Sequence, residues 1–525
     1  MIKKSPEQSQ AEDIYDALKE IVTFAHAGRR ADARDSLIDL WPIISAGIVI
    51  DQDPGTVNIF SGVSLGFLRL KHQDVAREFA KKALIEAPSD LLAHAIAPVD
   101  DRIWLARQFI HHHQTQKAMD LLEVIQTTDA DDESAFYIHL LRHYMSESEN
   151  ARALAPLDGR PTLLSLAVWG EAYIDKFLRT SLPSLLAPGN VPALAASDPV
   201  IFDIYTTEAD RVRLAASPGI RALAEIARID YAIVPAGLID FKPTPTTADP
   251  DRFYYAGTSY VSAVKAKALG ADLAVVGPEA LYSDRYLSVS KAYLREGYKA
   301  VIMSPLRARN EDLATYLDAH DAVTSNAITL DAKHLLEYAI KHLNPLYQDM
   351  FIRSDSESIG QDVIAFYFKA ATGFAGRSFQ LCPALISHEI IPADLQFDGF
   401  TCDTRFLAEC AQGKNPENIY KVIENPATEL FVADLDSASD GTARVFGEFP
   451  VTVAQSVLSA LKWCSRESDF SYFEWAIQKR FEFRCDPAIL PYSDLAEAET
   501  VTSFLSLFKV SQAEHTNIID SYRYA

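Results

Sequence analysis

Four groups of polar residues stand at the ends of apolar runs, where a parallel sheet would gather them. Glu279 and Asp284 follow the run LAVV in GADLAVVGPEALYSD, and Arg307 and Arg309 follow VIM in SPLRARNED. His388, Asp398 and Asp403 lie in CPALISHEIIPADLQFDGFTCDTRF, and Pro235 and Gly237 turn the chain in DYAIVPAGL, with Tyr254, Tyr255 and Tyr260 downstream. Two arginines at a strand end can bind phosphate bidentately, or can pair with surface carboxylates. Glu279 and Asp284 can serve a site, or can solvate a loop, with Asp284 starting the helix that follows. Asp403 can likewise cap a helix, His388 can be a satisfied hydrogen-bonding residue, and the tyrosines can be core aromatics. No G-x-G-x-x-G, P-loop, G-x-S-x-G, H-E-x-x-H or kinase signature is present, which argues against a dinucleotide fold, a P-loop NTPase and the common hydrolase sites. His111, His112 and His113 are consecutive, so they cannot all face one ion from a helix; they read as a solvated turn.

These residues need elements to position them. From Arg221 to about residue 450, short β-branched runs alternate with amphipathic helices that end at Gly270 and Gly297, the pattern of a mostly parallel sheet. The strands expected are DYAIVPAGL, ADLAVVG, YKAVIMSP, FQLCPALI and ELFVADLD, with helices at 259–270, 286–297, 310–320, 361–371 and from Asp331 to about Leu343. The first of these strands is taken as the first of the sheet, and the loops at strand carboxyl ends as the site. Residues 156–220, rich in proline, leucine and small residues, read as a packed helical connector, and 451–525 as a helical C-terminal cover.

From Glu12 to about Asn150 the pattern is helical almost without interruption, and 1–155 is taken as the helical-repeat domain. The segment GVSLGFLRLKHQDVAREFAKKALIEAP, 62–88, resembles a tetratricopeptide repeat, with Ala76, Ala83 and Pro88 at the small, small and proline positions. Partial copies run Asp13–Trp41 and Trp104–Ala130, with Ala33 and Ala118 at the small position, and a degenerate hairpin is expected at Ala135–Leu154. The fold expected is therefore a helical-hairpin solenoid followed by an α/β domain; an unrelated helical bundle is the alternative for the first part.

The α/β segment resembles bacterial glycosyltransferases with the GT-A type of sheet, on the acidic loop after ADLAVVG and on TCDTRF, 401–406. The usual Asp-x-Asp is replaced by Glu279, with Asp284 five residues on. The resemblance implies a nucleotide sugar as donor, bound through Pro235, Gly237, Glu279, Asp284 and Arg307. It implies a divalent cation, manganese or magnesium, on Glu279, Asp284 and His388. It also implies Asp403 as the base on an acceptor hydroxyl, with His388 as a proton shuttle or cation ligand. The repeat module would hold a protein or glycan acceptor. A non-catalytic repeat scaffold with a degenerate α/β domain is the rival, and a nucleotidyltransferase on a similar sheet a third reading.

Composition narrows the partners. The 525 residues are 48% hydrophobic and carry a net charge of −23, from 49 basic against 72 acidic side chains. Such a field repels polyanions, so nucleic acid is not the expected partner. The five cysteines (Cys382, Cys402, Cys410, Cys464, Cys485) contain no C-x-x-C pair and read as reduced thiols. No run is long and apolar enough to span a bilayer and the first residues lack a signal-peptide core, so a cytoplasmic protein is expected.

Overall fold

The computed structural model describes residues 6–46, 56–129, 131–239, 250–324, 326–353, 358–359, 365–378, 381–399, 401–436, 451–452 and 470–490. They divide into two compact units, one from 1–146 with 237–254 and 396–399, the other from 147–236, 255–395 and 400–525.

The first unit is built of antiparallel helix pairs: α1 (Pro6–His26) with α2 (Arg30–Ile44), α3 (Ile59–Arg69) with α4 (Gln73–Glu86), and α6 (Val99–His111) with α7 (Thr115–Asp129). A short α5 (Leu91–Ile96) and residues 132–146 of a long α8 (Asp132–Arg152) complete it. All three pairs close with the same turn. Its middle residue is left-handed (Gly28, Lys71 and His113), and the next amide donates back to the carbonyl of Phe24, Phe67 or Phe109. This five-back bond satisfies carbonyls that a helix end leaves open. The second helix then buries Ala33, Ala76 or Ala118, nine residues after each phenylalanine. The copies recur about every 42–43 residues, longer than the roughly 34 of a tetratricopeptide repeat. The expected hairpin at 135–154 is instead the single helix α8, whose sequence contains no glycine or proline to break it.

Small residues set how closely these helices approach. Ala76, Ala80 and Ala83 are fully buried, and the Ser64 hydroxyl donates to the Ala76 carbonyl across the hairpin at 2.6 Å. On α3, Gly62 lies under Leu37 of α2 and Gly66 under Leu18 of α1; a Cβ at either would stand 2.6 Å from the leucine methyls.

The second unit carries a seven-stranded sheet. Its strands are β1 (Thr162–Ala167), β2 (Val200–Thr206), β3 (Arg228–Ile233), β4 (Asp272–Val276), β6 (Ala300–Met303), β11 (Cys382–Ile386) and β12 (Tyr420–Val422), in the order β12-β6-β11-β4-β1-β2-β3. All are parallel except β11, which runs against both neighbours. The sheet therefore starts at Thr162, and the presumed connector 156–220 supplies β1 and β2, both fully buried. The expected first strand is in fact β3, at the sheet's edge.

A second sheet joins β5 (Ala280–Tyr282), β7 (Leu306–Arg309) and β13 (Val432–Asp436). A third joins β9 (Ala365–Ala370), β10 (Gly373–Ser378) and β15 (Phe481–Phe483), while β8 (Ser358–Ile359) pairs with β14 (Val451–Thr452). Two expectations fail here. The helix expected at 361–371 is strand β9 over its described part, because AFYFKA packs aromatics from a β ladder against Phe374 and Phe483. The helical cover contributes helix Phe470–Gln478 but also β15, which completes the third sheet; the cover's residues 453–469 and 491–525 lie outside the described residues.

The amino edge of the large sheet is tied by ions. Asp272, the first residue of β4, is wholly buried and accepts from Lys291 Nζ at 2.7 Å and Arg160 Nε at 2.8 Å. Lys291, itself buried, also donates to the Arg160 carbonyl and Thr162 Oγ1. Burial opposes the Asp272 charge, but His388, Lys291 and Arg160 outweigh it and hold the carboxyl below its usual range.

Two substitutions test this packing by urea denaturation. Asp272→Ala strands the Lys291 charge and should cost about 3–5 kcal/mol; a loss below 1 kcal/mol would contradict the stated role. Gly62→Val should cost about 1–3 kcal/mol by overpacking against Leu37, whereas an unchanged midpoint would mean that the helices separate freely.

Candidate functional site

In an open sheet of this kind the crevice forms outside the strand carboxyl ends where the winding direction reverses. Here that point lies between β1 and β4. The chain winds from β1 outward through β2 to β3, then returns to β4 on the other side of β1.

Two turns meet there. Beyond β1 come Trp169, Gly170 with φ 77°, and Glu171, and the Gly170 amide donates to Asp210 at 2.9 Å. Beyond β4 comes the turn Gly277–Glu279. Its Gly277 amide donates to the Tyr282 hydroxyl and its carbonyl accepts from Ser181, both at 2.9 Å. Ser181 ends a single π-helical turn, Phe177–Ser181, a rare geometry that often re-aims a side chain near a site.

Glu279 is thus held by a clamped turn, and its carbonyl accepts from the Leu435 amide at 3.0 Å. Its Oε2 is buried and has no hydrogen-bond partner among the described residues. Burial, reinforced by Asp434, pushes its pKa up to about 7. The parallel register of β13 and β7 puts Asp434 directly opposite Arg307 and Asp436 opposite Arg309. Burial works against the Arg307 charge, but Asp434 first, then Tyr347, Asp436 and Glu279, hold it above its ordinary value.

Cys382 starts β11 opposite Met303, at the same carboxyl edge of β6, and the Asp403 carboxylate acts on its buried thiol. Asp403 occupies the N-cap position of helix Thr404–Ala411 without capping it, and Thr401 Oγ1 donates to its Oδ2 at 2.7 Å. Glu279, Arg307 and Asp403 therefore belong to one edge.

The other expected residues do not. Because β11 is antiparallel, its far end lies at the amino edge, and His388 there stands 3.6 Å from Asp272, with its carbonyl held by Lys267. Asp284 follows β5 whereas Glu279 precedes it, three residues rising about 3.3 Å each apart. Its Oδ1 accepts from the Gly189 amide at 2.7 Å, where a Cβ on residue 189 would collide with Asp284 and Arg285. Asp284 does not cap the following helix either, since Arg285 takes that position with φ 68°. The expected metal set of Glu279, Asp284 and His388 therefore does not converge, and no group of three His, Cys, Asp or Glu suited to a metal occurs among the described residues.

Pro235 follows the edge strand β3, and Gly237, in the short helix Ala236–Ile239, is grouped with the helical unit, so neither stands at the end of a first strand. The Tyr254 and Tyr255 side chains lie outside the described residues, and the Tyr260 hydroxyl donates to the Leu395 carbonyl. Asp398 is buried and its carbonyl bonds His111, which is thereby more than a solvated turn residue. The described cysteines are free thiols, and no described helix is long and apolar enough to cross a membrane.

No protein-family model matches the chain, and no curated protein matches it significantly.

The Glu279 carboxyl makes a pH prediction. Its pKa is raised on folding, so its contribution to stability is present below about 4.5 and is lost as pH rises through about 7. Glu279→Gln cannot ionise and should lose less melting temperature between pH 5 and 8 than the native chain. Parallel pH profiles would show that the carboxyl ionises as readily folded as unfolded.

Proposed function

We propose that the second unit binds a nucleotide sugar and transfers its sugar to a protein or glycan acceptor presented by the helical unit. The observation that carries this is the sheet. Counted as they enter it, its strands lie in the order third, second, first, fourth, sixth, fifth, seventh, with the sixth antiparallel. A mostly parallel sheet is what the resemblance to GT-A-type glycosyltransferases implies, and a cation, Arg307, and two carboxyl groups, Glu279 and Asp403, belong to its carboxyl edge. The turn Gly277–Glu279, where the resemblance implies the acidic loop, leads into the second sheet, and Asp403 stands at the start of helix Thr404–Ala411, ahead of the large sheet's seventh strand, β12.

In this reading Asp403 takes the proton from the acceptor hydroxyl as the acceptor oxygen bonds to the sugar's anomeric carbon. The bond from that carbon to the diphosphate breaks, and its electron pair leaves with the diphosphate. Arg307 and Glu279 face the donor. His388 and Asp284 hold structure instead, at Asp272 and Gly189.

The engagement of those two residues also favours a second reading, a repeat scaffold whose α/β unit is not catalytic. A thermal-shift screen of uridine, guanosine, cytidine and thymidine sugars, with and without manganese, separates the two. One donor at about 100 times its Kd should add about 2.7 kcal/mol to stability and raise Tm. Asp403→Asn should keep that shift and lose transfer. No shift with any of these sugars would leave the scaffold reading standing.

A further inference from the structure

We infer that the positive charge meeting the donor diphosphate is the Arg307 guanidinium, and that diphosphate binding here needs no divalent metal. This rests on the donor-binding reading above.

The argument starts from position. β7 begins two residues beyond β6, so Arg307 projects from the strand that continues the carboxyl edge at which Glu279 and Asp403 stand. Arg307 and Arg309, two residues apart, share one face of β7, and the intervening Ala308 is fully buried. The Arg307 side chain is 43% exposed, and its ionic partner among the described residues, Asp436, stands 3.6 Å away, beyond hydrogen-bond reach. Among the described residues no acceptor takes a hydrogen bond from this guanidinium, and the buried Nε of Arg309 is likewise without one. Other exposed arginines vary: Arg179 stands 3.9 Å from Asp175, whereas three are tightly paired. Arg228, Arg211 and Arg295 each hold a carboxylate at 2.5–2.6 Å.

Arg307 thus lies within the influence of Asp434, Asp436 and Glu279 while its side chain stays partly exposed. A phosphate oxygen pair fits a guanidinium fork bidentately. Among the described residues a divalent cation has no comparable seat. Of its three expected ligands, Asp284 is spent on the Gly189 amide, His388 lies at the opposite edge, and Glu279 already adjoins the arginine. Arginine therefore does the work of the cation, meeting the charge that builds on the leaving diphosphate.

Calorimetric titration of the full chain with UDP, GDP, CDP and dTDP, in EDTA and then in manganese, tests this. At least one should bind in EDTA, with an affinity that manganese improves less than about threefold. Arg307→Gln should weaken that binding tenfold or more, and Arg307→Lys, which keeps the charge but not the fork, by less. Binding seen only with manganese, or undiminished in folded Arg307→Gln, overturns the inference and leaves the donor reading intact. Failure of all four nucleotides under both conditions overturns both. If Arg307→Gln does not fold, as circular dichroism would report, the EDTA and manganese titrations of the native chain decide alone.

Discussion

The second unit depends on one buried contact, Asp272 with Lys291 and Arg160. An ion pair out of water costs more than it returns unless each remaining polar atom is satisfied. Here the ammonium meets a carboxylate, a carbonyl and a hydroxyl, while Asp272 Oδ1 faces His388 at 3.6 Å without a hydrogen bond. The knot joins the start of β4, the approach to β1, helix Tyr286–Arg295 and the exit of β11 at His388. With the amino edge fixed in this way, the carboxyl edge can carry chemistry that is costly to stability. Glu279, Asp434 and Arg307 form such a costly group, and no packing argument requires them.

The same division explains the pKa pattern. At the amino edge several donors reach one carboxylate and lower its pKa. At the carboxyl edge burial and like charge raise those of Glu279 and Asp434, with a single arginine among them. A carboxyl with a raised pKa near a partly exposed arginine suits a ligand that brings its own negative charge.

Much of this was legible in the sequence, and the failures have definite causes. The helix pairs, the small positions Ala33, Ala76 and Ala118, and strands β3, β4 and β6 follow from periodicity and glycine punctuation. The repeated phenylalanines at 24, 67 and 109 were also present, but the left-handed turn that gives them meaning is invisible when two of its three central residues are lysine and histidine. β1 and β2 were hidden because TLLSLA and VIFDIYT are short buried runs beside proline-rich chain, and periodicity does not distinguish such runs from helix. Missing them shifted the count of strands and put Pro235 and Gly237 at a first strand that is the third. His388 failed for another reason. Sequence reveals a strand but not its direction, and one reversed strand moves the residues after it to the far side of the sheet.

That reversed strand also constrains how the chain can be assembled. β1 through β4 lie within about 115 consecutive residues and can pair as soon as they are made. β6 follows closely, yet it cannot join them, because β11 must first enter between it and β4, roughly 80 residues later. Until then β4 keeps a row of unpaired amides and carbonyls open along a buried, apolar strand, a template for wrong partners. Closing the sheet is therefore a late and long-range event in the life of the chain, and residues 382–386 act as its keystone as well as its odd member.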